Sequence, residues 1–303
     1  TLTGRSLKAD EFTFMLATKP ADGSEGEVLQ AKTNKADGTI QFDALSYRTS
    51  DKAAGNGVIL SQAVEAGYAT KVTNDQGTVY TLNYQVYEDT ESLRDNGVSA
   101  TMSTFAFNVI VTDNGDGTLT AETQYPQNKN KFEFINTYST GEPIPMDIEG
   151  SKTLYRAEGL NPNDIAGKFT FTITALTNGA PMPKNTTVTN DAAGNIDFGE
   201  ITFDLNLLKD VPSASDTDQS GDVEQPGEGE QSAEVDKSRT KTFEYKVTET
   251  GSAAGVTNDS AKTKTFKLIL TDDGNGNLTV TSDPKEGPKF TFTNTYSVEE
   301  LPS

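Results

Sequence analysis

The chain repeats itself. Sliding its second half along its first brings five blocks into match, in the same order, at an offset of about 160 residues. Thr1 and Leu2 through Phe14 correspond to Thr153 and Leu154 through Phe171. The string T-N-x-A-x-G-x-I-x-F runs from Thr33 to Phe42 and again from Thr189 to Phe198. Tyr84, Val86 and Glu88 match Tyr245, Val247 and Glu249, and the turn from Asp113 to Gly117 matches that from Asp272 to Gly276. Phe134, Asn136 and Tyr138 match Phe292, Asn294 and Tyr296, so both copies end on the same segment. A length of 303 residues suits two domains built on one blueprint.

Within each copy the local pattern has period two. Segments such as Phe12 to Leu16 and Lys168 to Ile173 alternate apolar and polar residues, are rich in Thr, Val, Phe and Tyr, and are bounded by Gly, Asn and Asp. These read as half-buried strands. Ile59 to Ala69 comes nearest to a helical pattern and suits a short helix or a loop. The expected fold class is therefore all-β. The first domain is expected over 1–140 and the second over 150–297. A stiff extended linker over 141–149, containing Pro143 and Pro145, would join them, and 298–303 would form a tail. Residues 211–238 are rich in Ser, Asp, Glu, Gln and Gly with almost no large apolar side chain, and are expected to form a disordered surface loop. The first copy has its own insertion over 47–77, in the same place between matched blocks.

Composition excludes several functions. The chain has 25 Lys and Arg against 45 Asp and Glu, a net charge of -20, which repels a phosphate backbone, so no nucleic acid is expected as a partner. It has no histidine and no cysteine, the residues most used for base catalysis near neutral pH, for thiol nucleophiles and for zinc or copper. The Asp- and Gly-rich turns at 113–117 and 272–276 lack the calcium-loop register and are explained as hairpin turns, so neither a metal nor a cofactor is expected. An enzyme, for instance a carboxylate-pair glycosidase, would need two convergent acids, and no motif for that is present. No run of about 18 apolar residues exists, and Thr1 to Asp10 does not look like a signal peptide, so the sequence reads as a mature fragment. An extracellular chain without cysteine must find stability in something other than disulfides.

Lys152, Glu249 and Asn294 form the constellation of interest. A lysine opens the first strand of the second copy, a glutamate sits in a middle strand, and an asparagine sits in the last. In a sandwich the first and last strands can be neighbours. Burial would push the lysine toward the neutral amine and the carboxyl toward the acid, the states needed to attack an amide and to polarise its carbonyl. Ammonia would leave and a new amide would remain. Each residue also has a plain reading: Lys152 as a solvated strand end, Glu249 as a surface charge, Asn294 as a turn residue.

With Lys152-Thr153-Leu154, Phe169-Thr170-Phe171, Tyr245 to Glu249 and Phe292-Thr293-Asn294, the chain resembles the pilin isopeptide linkage domains of the FctA type. These domains occur in Gram-positive pilin backbone subunits and adhesin stalks. The resemblance spans nearly the whole chain apart from the acidic loop and the linker. It implies two tandem Ig-like (Greek-key) β-sandwich domains, and a spontaneous bond between Lys152 and Asn294 assisted by Glu249, formed once and not turned over. In the first copy it implies Glu88 and Asn136, with a partner lysine immediately before Thr1. Lys8 is the nearest substitute and is expected to face water. The role implied is a structural pilus shaft or adhesin stalk, extracellular and anchored to the cell wall. Neighbouring pilin subunits, or the cell wall through a sortase, would be its partners. Leu301-Pro302-Ser303 would then begin a sortase signal or belong to a linker tail. The alternative reading is an adhesin module that binds a host surface ligand through the inserted loops at 47–77 or 211–238.

Overall fold

The computed structural model describes residues 1–297 except 51, 53, 54, 76, 94, 95, 102, 127–130, 157–164, 218–235 and 286. The central part of the expected acidic loop and the 298–303 tail with Leu301, Pro302 and Ser303 lie outside the described residues. The chain divides into two compact units, Thr1–Tyr138 and Ser139–Ser303, each built almost entirely of strands.

The first unit contains β1 (Leu2–Thr3), β2 (Thr13–Thr18), β3 (Val28–Thr33), β4 (Tyr47–Arg48), β5 (Val58–Ile59), α1 (Leu60–Glu65), β6 (Ala69–Asn74), β7 (Gly77–Glu88), β8 (Val98–Ala100), β9 (Thr104–Asp113), β10 (Leu119–Gln124) and β11 (Asn136–Tyr138). The larger sheet runs β10-β9-β7-β2-β3, with β6 also paired to β7. The smaller runs β1-β11-β8, and β4 pairs with β5. Strand β7 shows why the sequence folds this way. Tyr80, Leu82, Tyr84, Val86 and Glu88 are buried at every second position, so the pleat that packs four apolar side chains carries a carboxylate inward as the fifth.

The second unit contains β12 (Ile144–Tyr155), β13 (Phe169–Ala175), β14 (Thr187–Thr189), β15 (Asn195–Phe203), α2 (Ala214–Thr217), β16 (Arg239–Gly251), β17 (Val256–Thr257), β18 (Thr263–Asp272), β19 (Leu278–Asp283) and β20 (Phe290–Tyr296). Sheets β15-β12-β20-β17 and β14-β13-β16-β18-β19 enclose one core. Aromatic pairs bridge the two layers: Phe171 and Phe292 lie with ring centroids 5.3 Å apart, and Phe203 and Phe243 lie 5.7 Å apart. At one end the buried Arg239 donates to Asp272 from Nε at 3.1 Å and Nη2 at 2.7 Å, a paired ion in an otherwise apolar layer. The β18–β19 hairpin turns on Gly274 and Gly276 at φ +75° and +97°, as Asx-Gly hairpin chemistry requires.

Two expectations, the linker and the acidic loop, need correction, and the two copies of the repeated string also differ. Residues 144–149 are not a linker: Ile144 to Asp147 pair with Phe203 to Glu200, and Ile148 is fully buried. The reason is a flank of β15 left open for pairing. Pro145 is tolerated there because β20 joins β12 only from Gly150 onward, so the missing N–H has an unpaired side to face. In the first unit the T-N-x-A-x-G-x-I-x-F segment does not continue as a strand after the bridge of Asn34 to Ile40. Ile40 and Phe42 are half-buried beside a cavity of about 860 Å³, whereas their counterparts Ile196 and Phe198 pair within β15 and are fully buried. Residues 41–46 carry no strand assignment; the Asp43 backbone is met by a side chain instead of a ladder, its N–H donating to Gln30 Oε1 at 2.8 Å and its carbonyl accepting from Gln30 Nε2 at 3.0 Å. The ends of the acidic loop are ordered. Ser213 is buried, α2 follows it, and Ala214 N–H donates to the Ser238 carbonyl at 2.9 Å.

Gly194 of the repeated string sits at φ +87°, and a Cβ there would stand 2.3 Å from the carbonyl oxygen of Lys152. The left-handed backbone alone costs a larger residue about 1–2 kcal/mol, and the clash adds to that. Gly194→Ala is therefore expected to destabilise the second unit by roughly 2 kcal/mol or more, read as a lower denaturant midpoint with an unchanged slope.

Candidate functional site

The second unit brings Lys152, Glu249 and Asn294 together in its core. Strands β12 and β20 run parallel, with Lys152 opposite Phe292 and Leu154 opposite Asn294. Lys152 and Asn294 are therefore diagonal neighbours on the inward face of adjacent first and last strands. Glu249 reaches them from the other sheet, as the inward residue of β16 opposite Phe171. All three are buried. Lys152 Nζ donates to Glu249 Oε1, in an ion pair whose two side chains are completely shielded from solvent. Asn294 Nδ2 donates to the same Oε1 at 3.3 Å. The Phe169 ring lies beside the ammonium, its centroid 4.5 Å from Nζ.

This setting acts on the lysine. Burial pushes its ammonium below the ordinary lysine value, and the hydrogen bond and charge of Glu249 oppose that push. Glu249 Oε2 has no partner among the described residues, so the carboxyl holds one oxygen on the amine and the amide and turns the other into an apolar surround. Such a constellation can take a proton from the amine and pass one to a leaving group. The Asn294 carboxamide is held at its other end too. Asp259 N–H donates to Oδ1 at 2.7 Å, and Nδ2 reaches Asn258 Oδ1 at 3.4 Å. Sequence reasoning missed Asn258 and Asp259, and no residue pattern marked them.

The first unit holds two of the three groups. Glu88, opposite Phe14 on β2, accepts from Asn136 Nδ2 at 2.6 Å, and both residues are buried. Burial raises the Glu88 carboxyl above its ordinary value, and the hydrogen bond from Asn136 opposes the rise. Glu88 Oε2 and Asn136 Oδ1 have no partner among the described residues. The register is that of the second unit: Leu2 stands opposite Asn136 as Leu154 stands opposite Asn294. The position before Thr1 is thus the structural equivalent of Lys152. Lys8 does not face water as expected. It is buried, because its segment is fastened on both sides: its carbonyl accepts from Asn34 Nδ2 at 2.6 Å and its N–H donates to Glu11 Oε2 at 3.1 Å.

Asn34 and Asn190, the invariant Asn of the repeated string, do this fastening in both units, each buried and tying the string to the connection ahead of the F-x-F strand. The repeat revealed the asparagine but not its task. Arg5 and Glu11 form a further buried ion pair in the same connection of the first unit.

The raised Glu88 carboxyl sets a pH dependence. A carboxyl whose folded pKa exceeds its unfolded value binds extra protons when folded, so stability is highest in acid and falls as pH rises through the folded pKa. Glu88→Gln is expected to make the first unit more stable than the parent at pH 7, with the gain vanishing below the ordinary glutamate range, as followed by hydrogen exchange of β7 across pH.

A family model described as the Spy0128-like isopeptide containing domain, FctA, matches residues 1–139 and again 148–297. No curated protein sequence matches the chain. Among solved structures, the major pilin protein T3.2 of Streptococcus pyogenes aligns at 14% identity over 98% of this chain and 94% of its own, with a TM-score of 0.25. The major pilin protein T-13 of the same organism aligns at 12% identity over 97% and 92%, with a TM-score of 0.22. Superpositions this loose carry no argument beyond the family match, which covers both units from first strand to last: the chain belongs to the FctA family of Spy0128-like isopeptide-containing domains and carries two tandem copies.

Proposed function

We propose that the protein is a structural cell-surface subunit, a pilus shaft component or adhesin stalk, whose second unit locks itself with an amide bond between Lys152 and Asn294. The observation that carries this reading is the buried Lys152, Glu249 and Asn294 group, placed where it can join the first strand of a β-sandwich to the last. Glu249 takes a proton from Lys152, and the neutral Nζ attacks Asn294 Cγ. The Nζ–Cγ bond forms as the Cγ–Nδ2 bond breaks. Nζ gives up two protons in all: Glu249 relays one to Nδ2, which leaves as ammonia, and the second departs with that ammonia as ammonium. No oxidant or cofactor enters the balance, and the carboxyl is regenerated for a reaction that runs once.

A stalk gains from such a bond. Force applied at the two ends of the unit would fall on a covalent link between adjacent strands, and unfolding under load would be slowed for as long as the link held. By analogy with disulfides, closing so long a loop contributes roughly 5 kcal/mol through the unfolded state. In the first unit the same bond requires a lysine at the position before Thr1. Other pilin subunits, or the cell wall by way of a sortase, are the partners such a subunit would have, at an extracellular surface. Nothing in this role turns over a substrate.

Two measurements test the proposal. Intact mass of the purified chain is expected to fall short of the sequence mass by one ammonia for the second unit, with a peptide map joining the Lys152 and Asn294 peptides. Glu249→Ala is expected to restore the full mass, and an unmodified parent chain would sink the reading. Asn294→Ala, which cannot form the bond, is expected to lower the stability of the second unit by at least the roughly 5 kcal/mol of the loop, seen as a lower denaturant midpoint.

A further inference from the structure

The loop after β17 treats the two units differently, and the difference falls on the atom that must carry charge in the reaction. In the second unit β17 pairs with β20 only at Val256 opposite Tyr296 and Thr257 opposite Thr295. The chain then turns inward. Asp259 N–H donates to Asn294 Oδ1 at 2.7 Å, and Asn258 Oδ1 accepts from Asn294 Nδ2 at 3.4 Å. The Asp259 carboxylate fixes this turn. Its Oδ2 accepts from Thr293 N–H at 2.9 Å and from Lys264 Nζ at 3.1 Å, and its Oδ1 accepts from Ala261 N–H at 2.8 Å.

In the first unit the equivalent strand runs one pair further: Val98, Ser99 and Ala100 stand opposite Tyr138, Thr137 and Asn136. Ala100 and Thr101 therefore occupy the places of Asn258 and Asp259. Thr101 N–H donates to the Ile135 carbonyl at 3.1 Å, continuing the ladder, and Asn136 Oδ1 is left buried without a partner among the described residues. One sequence of strands thus ends in two ways. Where an aspartate accepts the N–H of the residue before the asparagine, the loop amide is released from the ladder and aimed at the side-chain carbonyl. Where a threonine stands instead, the amide stays in the ladder.

We propose that the Asp259 backbone N–H is an oxyanion donor for the Lys152 to Asn294 bond, held in place by the Asp259 carboxylate, and that the first unit lacks this donor. The inference rests on the crosslinking reading above. When Nζ adds to Cγ, the π electrons of the carbonyl move onto Oδ1, and a fixed donor in a dry core stabilises that charge without reorganising. The same electrons return as Cγ–Nδ2 breaks and ammonia departs past Glu249 and Asn258. The site is built for one asparagine in one rotamer, since both ends of its carboxamide are engaged. The first unit, given a lysine at the position before Thr1, would form its bond more slowly.

The test follows bond formation in the full chain by pulsed cell-free synthesis, acid quenching at intervals and intact mass. Asp259→Pro removes the N–H, and Asn258→Ala/Asp259→Thr installs the residues of the first unit. Each is expected to slow ammonia loss by about a hundredfold relative to the parent, the scale of losing one oxyanion donor. A variant that loses ammonia at the parent rate overturns the proposal and leaves the crosslink itself standing; a parent chain that never loses ammonia overturns both. Because either variant can misfold, a second measurement uses Lys152→Ala, in which the carboxamide survives. A through-hydrogen-bond coupling between the Asp259 amide nitrogen and Asn294 Cγ is expected in its NMR spectrum, and its absence in the folded chain overturns the donor.

Discussion

A lysine and a glutamate sealed from water between two β-sheets set the terms for the second unit. Removing two charges from solvent is costly, and their attraction offsets the cost only where geometry and hydrogen bonding are good. Here Lys152 has Glu249 and the Phe169 ring, while one oxygen of Glu249 has no partner among the described residues. An arrangement kept in this state gains little stability from the ion pair as such. On the function proposed above it is a reactant pair: amine, base and amide lie within one hydrogen-bonded group, and forming the amide would remove the buried charge on the lysine for good. The surrounding fold supplies the two requirements of that chemistry, a dry core and a fixed register between first and last strands.

The register makes the site possible. Adjacent parallel strands bring Lys152 and Asn294 to the same face two positions apart, and the period-two pleat of β16 delivers Glu249 from the facing sheet. Gly194 approaches the Lys152 backbone so closely that its own carbonyl accepts the Lys152 N–H at 2.6 Å, pinning the strand that carries Lys152. A slip of one residue in any of these strands would turn one member of the group outward.

The two units show how far one blueprint can diverge. Glu88 and Asn136 occupy the same register as Glu249 and Asn294, yet β15 of the second unit has no strand counterpart at 40–46, and a cavity stands beside Asn136. In the second unit the matching space is filled by Ile196, Phe198, Ile201 and Phe203 on a strand that β12 pairs along its length. Polar satisfaction differs with it: Asn294 Oδ1 has a donor, and Asn136 Oδ1 has none among the described residues.

The repeat, the all-β class and the positions of Lys152, Glu249 and Asn294 were legible in the chain itself. A strand writes its buried face into the sequence at every second residue, and a charged residue falling in that series, as Glu88 and Glu249 do, announces an inward carboxylate. Residues 144–149 were not legible. Two prolines among apolar residues read as a linker until a neighbouring strand offers a flank for pairing, and that flank comes from residues about fifty positions further on. Asn258 and Asp259 were hidden for a related reason. The group that meets Asn294 is a backbone N–H, which nearly every residue carries, so only the loop's path in three dimensions could select it. Along the regular strands the sequence by itself determined which side chains enter the core, because burial there follows the local pleat; Lys8, in an irregular connection, and the Ile40 to Phe42 segment escaped that rule. Tertiary structure alone decided which backbone amide meets them there, because that depends on where a loop leaves its ladder.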